Sequence, residues 1–280
     1  MGDRVLVTGA AGLVGRAVLD LLAARGRPVT ALVLDPVTDL PADRVVTGDA
    51  RDPQVVAEAL RDVDAVIHLA AIPHPDADPA EEVFGRNSLA TFTVLDHAGR
   101  AGIRRAAIAS SYAICGLPFA RRPLRMPYLP IDARLPLQIT DPYALSKRAD
   151  EATAEMVALR YGTDVVALRL PFIGDPAGRL RETAERFAAD PGSGAPDVWS
   201  YLDTRDAARA LVAALEPASP GCHVLYVAAP RILAPQPTEW LLDRFHPGVP
   251  RPHFPGRTVP IDLEPARELL GFTAEFVADR

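Results

Sequence analysis

The segment Thr8-Gly9-Ala10-Ala11-Gly12-Leu13-Val14-Gly15 constrains the fold more than any other. Before it runs Arg4–Thr8, an apolar, valine-rich stretch that reads as a buried strand. After it, Leu13, Val14, Ala17, Val18, Leu21 and Leu22 recur at helical spacing. They predict a helix over Gly12–Arg25 that stops at Gly26. Glycines placed between a strand and a helix permit a tight turn, close backbone approach to a ligand, and close helix–strand packing. The helix N-terminus adds unpaired N–H groups and partial positive charge, which suit a pyrophosphate. The Gly-x-x-Gly-x-x-Gly spacing is one residue longer than the commonest dinucleotide fingerprint. A bare glycine pattern is weak, but this flanking makes nucleotide binding the better reading. Gly9, Gly12, Leu13, Val14 and Gly15 are the candidate phosphate contacts.

Strand-like and helix-like segments alternate through the first two thirds. Further strands are expected at Pro28–Leu34, Arg44–Thr47, Ala65–His68, Arg105–Ser110 and Val165–Leu170. Helices are expected within Pro53–Leu60, Pro79–Ala101 and Tyr143–Tyr161. This order predicts an α/β fold: a doubly wound parallel sheet of Rossmann type, covered on both faces. The last third changes character, with prolines at 230, 235, 237, 247, 250, 252, 255, 260 and 265. Short helix signals stand at Thr238–Phe245 and Glu264–Leu270. We expect residues 1–170 and 200–228 to form the dinucleotide-binding domain. Residues 171–199 and 229–280 are expected to form a small substrate lobe. The stretch Pro191–Pro196 reads as a mobile loop.

Composition excludes several classes. Hydrophobic residues are 49% and charged residues 24% of 280, which rules out wholesale disorder. The apolar runs are too short to span a bilayer, so no membrane partner is expected. The first residues lack an apolar signal region, and Cys115 and Cys222 are too few for a disulfide framework. Both observations point to the cytoplasm. A net charge of −6 gives no global attraction for nucleic acid. No His, Cys, Asp or Glu cluster has metal-ligand spacing, so no metal is expected.

Asp35, 20 residues after Gly15, is expected to end the second strand and accept the ribose hydroxyls of an adenosine. It would repel a 2′-phosphate, and Leu34 and Pro36 offer no cation to offset that repulsion. NAD is therefore favoured over NADP. A solvated Asp opening a turn with Pro36 is the competing reading. Asp49 and Ala50 follow the third strand and are placed to meet the adenine edge. Leu69, Ala70 and Ala71 are small or apolar residues after the fourth strand that would let a cofactor lie against the backbone. His68 reads as a packed histidine. Pro73 and His74 lie in the following loop, where either the pocket or solvent would suit the histidine.

The chain contains 29 arginines and one lysine, Lys147. That lysine stands four residues after Tyr143 in the helix-like segment, so both side chains share a face. A phenol has a reference pKa of about 10, and a neighbouring ammonium favours the phenolate. An ammonium can also hold a ribose hydroxyl. A bare Tyr-x-x-x-Lys pair is more often a surface pair; its placement in this chain is what lifts it. Ser110 and Ser111 close a strand whose carboxyl end would face the crevice, where a hydroxyl can hold a substrate oxygen.

Together, Thr8–Gly15, Asp35, His68–Ala71, Asn87, Ser111 and Tyr143/Lys147 resemble the extended short-chain dehydrogenase/reductase family, the NAD-dependent epimerase/dehydratase group. The likeness continues through Leu168-Arg169-Leu170-Pro171, through Tyr201–Ala207, and into Ile261–Phe272. It implies Tyr143 as acid/base, Lys147 as its ribose-holding partner, Ser111 as the substrate-polarising hydroxyl, and Asn87 as an organiser near the nicotinamide. Pro171 and Ile173 would flank the nicotinamide, and Ser110 would lie at the cofactor. It also implies a homodimer formed by the helices over Arg86–Ala101 and Tyr143–Tyr161. Many members grip a nucleotide-activated sugar through an Asn after the Arg169-like position and a long insertion. Here Pro171-Phe172-Ile173-Gly174 lacks that Asn, and only 24 residues separate Gly174 from Trp199. The compact lobe is similar to that of uronate dehydrogenases, which carry Asn where this chain has Tyr112. Tyr112 and Phe172 would form an apolar wall for a small hydroxyl or carbonyl substrate. Three readings stand: an NAD-dependent oxidoreductase, an NAD-retaining sugar epimerase or dehydratase, and a nucleotide-binding protein without turnover.

Overall fold

The computed structural model describes residues 3–278. Seven strands form one parallel sheet: β1 (Val5–Thr8), β2 (Val29–Val33), β3 (Arg44–Thr47), β4 (Ala65–His68), β5 (Arg105–Ser111), β6 (Asp164–Leu170) and β9 (Cys222–Tyr226). Their order is β3-β2-β1-β4-β5-β6-β9. The order reverses between β1 and β4, which opens a crevice beyond their carboxyl ends. A second, two-stranded sheet pairs β7 (Phe172–Gly174) with β8 (Tyr201–Asp203).

Alternate residues of each central strand feed opposite cores, because helices cover both faces. On β1, Val5 and Val7 join Ala65 and Ile67 of β4 beneath α1 (Leu13–Ala24) and α6 (Thr204–Ala213). Leu6 and Val66 point the other way, under α2 (Pro53–Ala59), α3 (Ala80–Arg100) and α4 (Pro142–Tyr161). The three apolar side chains of β1, Val5, Leu6 and Val7, are fully buried, and each contributes about 1.5–3 kcal/mol. A third apolar cluster lies beside the sheet. It joins the segment after β5 to α5 (Arg179–Ala189), α7 (Thr238–Phe245) and the proline-rich stretch, around fully buried Trp199 and Tyr201. The helix α8 (Glu264–Leu270) packs Ala266 back onto the sheet.

One expected element differs. Pro191–Asp197 is an ordered 3-10 helix rather than a mobile loop. Its glycines serve packing: a Cβ on Gly194 would lie 2.3 Å from the Trp199 ring. The indole Nε1 donates to the Pro191 carbonyl at 2.7 Å, tying the segment to the buried ring.

Beneath the crevice lies a buried ion pair. Arg169 on β6 donates from Nε to Glu151 Oε1 at 2.8 Å and from its terminal nitrogen to Oε2 at 2.9 Å. Ser110 Oγ donates to the same Oε1 at 2.7 Å. Ser110 and Arg169 face each other in the β5–β6 register, so one carboxylate on α4 clamps both strands. Burial works against the guanidinium, but Glu151 and Tyr226 outweigh it and raise its pKa. Removing one partner of such a pair strands a buried charge. Glu151→Ala is expected to cost about 3 kcal/mol in a urea unfolding measurement.

Candidate active site

The glycine turn reaches across the gap between β1 and β4. Gly9 has φ +63°, and a Cβ there would lie 2.8 Å from the Ala70 nitrogen. A Cβ on Gly15 would lie 2.3 Å from the Gly9 carbonyl oxygen, so α1 rests directly on the turn. Gly12 caps α1 without a side-chain hydrogen bond. The first N–H groups of the helix therefore have no side-chain acceptor, and a phosphate would satisfy them. Leu13 is exposed and Val14 half-buried beside them.

A hollow next to this turn is lined by Leu32–Leu34, residues 48–51, residues 70–72, and Arg86 and Asn87 of α3. Ala50, Ala70 and Ala71 leave it open to a flat group, while Leu69 is half-buried and packs on the sheet core. Asp49 is engaged by Arg51 at 2.6 Å, and that hydrogen bond holds its carboxyl below the ordinary value. Asp35 does not end the second strand as expected. The β2–β3 register stops at Val33, and Asp35 stands exposed two residues further on. Leu34, 63% exposed, forms the apolar rim of the hollow. The glycine cradle, the open helix end and this hollow together fit a dinucleotide.

Asp141 caps α4 by accepting from the Ala144 N–H at 2.8 Å, and Pro142 fits the first turn. This cap sets where Tyr143 begins the helix. One turn on, Lys147 is only 4% exposed. Its Nζ donates to the Ala109 carbonyl at 2.9 Å and to Asp150 Oδ2 at 3.1 Å, and lies 5.7 Å from the Tyr143 ring centroid. The bond to Ala109 pins this face of α4 against the end of β5, two residues before Ser111. Burial opposes the ammonium, but Asp150, Tyr143 and Glu151 outweigh it and hold its pKa above the usual lysine value.

Ser111 Oγ accepts from the Ala113 N–H at 3.1 Å, which leaves its own proton free to donate. Asn87 clasps residue Ile72, accepting from its N–H at 2.7 Å and donating to its carbonyl at 3.0 Å, and also donates to Ser146. It thereby ties the loop after β4 to α4. His74 packs edge-on to Phe119 at 4.8 Å, and Phe119 packs edge-on to Tyr143 at 6.2 Å. Pro73 is the exposed neighbour of His74. On another side, Pro171 is buried, Ile173 packs on the sheet core, and half-buried Phe172 lies under Arg179 at 4.9 Å.

Two expected site residues turn elsewhere. The Ser110 hydroxyl is spent on Glu151 rather than facing the crevice. Tyr112 is 2% exposed; its hydroxyl donates to the Pro196 carbonyl at 3.1 Å and its ring packs on Tyr226. It is a core residue of the third apolar cluster, and Phe119 is the aromatic side chain beside Tyr143. Alternation along β5 explains the Ser110 result, and the 3-10 turn at Tyr112–Cys115 explains the other. Phe119 carried no readable signal, because a long loop brings it back. Asp150 did carry one, three residues after the only lysine, which is one helical turn.

The model of the NAD dependent epimerase/dehydratase family matches residues 5–227. The chain belongs to this family. A 3-diazoavenalumate denitrifying reductase from a Streptomyces species is 34% identical, covering 96% of this chain and 88% of that protein. A uronate dehydrogenase from Pseudomonas putida is 31% identical over 72% of this chain and 78% of its own. A solved short-chain dehydrogenase/reductase superfamily protein from Agrobacterium tumefaciens, with bound NAD, superposes with a TM-score of 0.72 at 26% identity. That match covers 98% of this chain and 93% of the other. This epimerase/dehydratase family member is thus an oxidoreductase with NAD as its cofactor. Among its described residues, no helix is long and apolar enough to cross a membrane, and no group of three acidic, Cys or His side chains is placed to hold a metal.

The turn yields a direct test. Gly15→Ala is expected to lose NAD binding by calorimetry, because the Cβ collides with backbone. Gly85→Ala, whose Cβ meets nothing within 4 Å, should bind NAD as the unsubstituted protein does.

Proposed function

We propose that the protein is an NAD-dependent oxidoreductase of a small hydroxyl or carbonyl compound, with Tyr143 as acid/base. The observation that carries this reading is the buried Lys147 ammonium beside the Tyr143 ring at the carboxyl end of β5. Gly9, Gly12, Gly15 and the N–H groups of Leu13 and Val14 would hold the pyrophosphate. The hollow bounded by Leu34 and Ala50 would take the adenosine, with Asp35 available to its ribose. Bound nicotinamide supplies the hydride acceptor or donor.

Proton transfer is left to the chain. In the oxidation direction, the Tyr143 phenolate takes the substrate hydroxyl proton; in reduction, the phenol returns it. Lys147 favours the phenolate electrostatically and, as a multiple donor, would also hold the nicotinamide ribose. Ser111 donates to the substrate oxygen on which charge changes. Asn87 fixes the loop carrying His74, and Phe119 and Phe172 bound the space for the substrate's apolar face. The missing Asn after Pro171 and the short stretch before Trp199 favour a small substrate over a nucleotide-activated sugar. A reductase and a dehydrogenase among the similar proteins agree with net redox turnover.

A homodimer is also proposed. Phe84, Leu89 and Phe92 on α3 and Leu145 and Leu159 on α4 form an exposed apolar stripe on neighbouring helices. Pairing of two such stripes would make a four-helix interface.

Net NADH formation over a panel of alcohols, sugar acids and aromatic alcohols is the expected activity. Tyr143→Phe should reduce it by about 10²-fold or more while NAD binding by calorimetry persists. Conversion of substrate without net absorbance change would instead identify an epimerase or dehydratase. Light-scattering mass measurement should give a dimer, and Phe92→Glu a monomer.

A further inference from the structure

Two sets of buried polar groups meet beside Lys147: a directed chain through Thr8, His68 and Thr91, and the Lys147–Asp150 ion pair. Thr8 Oγ1 accepts the N–H groups of Leu69 at 3.1 Å and Ala70 at 3.2 Å. Its own proton therefore goes to His68 Nδ1, 2.8 Å away. This assigns the neutral histidine with its proton on Nε2, which donates to Thr91 Oγ1 at 3.1 Å. Burial, together with the nearby Lys147 charge, pushes His68 down to about 3 and keeps it in this form. The chain of hydrogen bonds stops at Thr91, which faces Asp150 and favours its carboxylate. Burial is the larger effect and raises the Asp150 pKa, against the Lys147 charge. Asp150 Oδ1 has no hydrogen-bond partner among the described residues, and Oδ2 accepts from Lys147 Nζ at 3.1 Å.

We propose that Asp150 is a positioning residue: buried with Lys147 and in direct contact with it, it is the counter-ion that keeps that ammonium charged and in place beside Tyr143. The inference rests on Tyr143 and Lys147 being the proton-transfer pair, as proposed above.

An ammonium removed from water tends towards the neutral amine unless an opposite charge faces it. The surroundings of Lys147 supply few candidates. On α4 stand Tyr143, Asp150 and Glu151, with Arg148 reaching Glu151 at 3.7 Å. Thr91 faces the pair from α3, His68 from β4, the Ala109 carbonyl and Ser110 from β5, and Arg169 from β6. Glu151 is already matched by Arg169, and His68 is neutral. Asp150 is the carboxylate in contact with the ammonium, and both groups are nearly inaccessible, at 2% and 5% side-chain exposure. Without it, burial of the Lys147 charge would be opposed only by Tyr143 and by Glu151, which Arg169 already engages. The neutral amine would no longer favour the phenolate, so turnover would fail on the alkaline side.

The single lysine makes this directly measurable, because lysine labelled with carbon-13 at Cε gives one side-chain resonance for the whole chain. In the NAD-loaded protein, Asp150→Asn is expected to lower the Lys147 titration midpoint by about two pH units. In the NADH-forming assay the same variant should acquire an alkaline limb at that midpoint. Thr91→Val should lower the midpoint in the same direction by less, since it removes a group that favours the Asp150 carboxylate. An unmoved Lys147 midpoint in Asp150→Asn that unfolds and binds NAD like the unsubstituted protein would overturn the inference. If Asp150→Asn does not fold, the same titration of Thr91→Val decides. Full turnover by Tyr143→Phe would remove the catalytic reading instead, while the Lys147 titration still judges Asp150.

Discussion

The contact on which the site depends is the approach of the glycine turn to the end of β4. β1 and β4 are neighbours in the sheet, yet the strand order runs away from them in opposite directions. The two strands stay paired up to Thr8 and His68, and beyond that register the chains leave on different paths. The Thr8 hydroxyl crosses between them, accepting two backbone N–H groups of the loop after β4. Gly9 lets the two backbones meet, since any Cβ there would strike Ala70. One hydroxyl and one missing methyl thus hold open a crevice of fixed shape.

Charge in the interior is organised around α4. Two ion pairs lie side by side on that helix, Lys147 with Asp150 and Glu151 with Arg169. Burying charges costs several kcal/mol per ion, so such pairs are poor sources of stability. Their value here is placement. Glu151 clamps β5 to β6, while Lys147 bonds the Ala109 carbonyl on β5. The face carrying Tyr143 is therefore set against the strand that ends in Ser111, with little freedom to slide.

Much of this was readable beforehand. Strands flanked by helices at regular spacing fixed the parallel sheet, because both strand faces must be apolar when helices cover both. Gly15 announced close packing, and Tyr143 with the lone Lys147 announced a helical pair. Reading failed where a side chain's direction depends on a single step. Ser110 and Ser111 are adjacent on a strand, so one must turn inward, and the sequence does not say which. Tyr112 left the crevice because a 3-10 turn follows at once. Asp35 stands beyond its strand because pairing stops at Val33.

By itself, the sequence determined the sheet, the turn that opens α1, and the shared face of Tyr143 and Lys147. These rest on local periodicity and on the steric demands of glycine, which neighbouring residues impose on one another. Only the tertiary structure decided which groups surround the ammonium. Thr8, His68, Thr91 and Asp150 lie on two strands and two helices far apart along the chain, and the hydrogen-bond directions from Thr8 to Thr91 follow from what each group has already accepted. Phe119 likewise meets Tyr143 only because a long loop returns it. Local rules carry no information about such meetings, since packing across the sheet creates them.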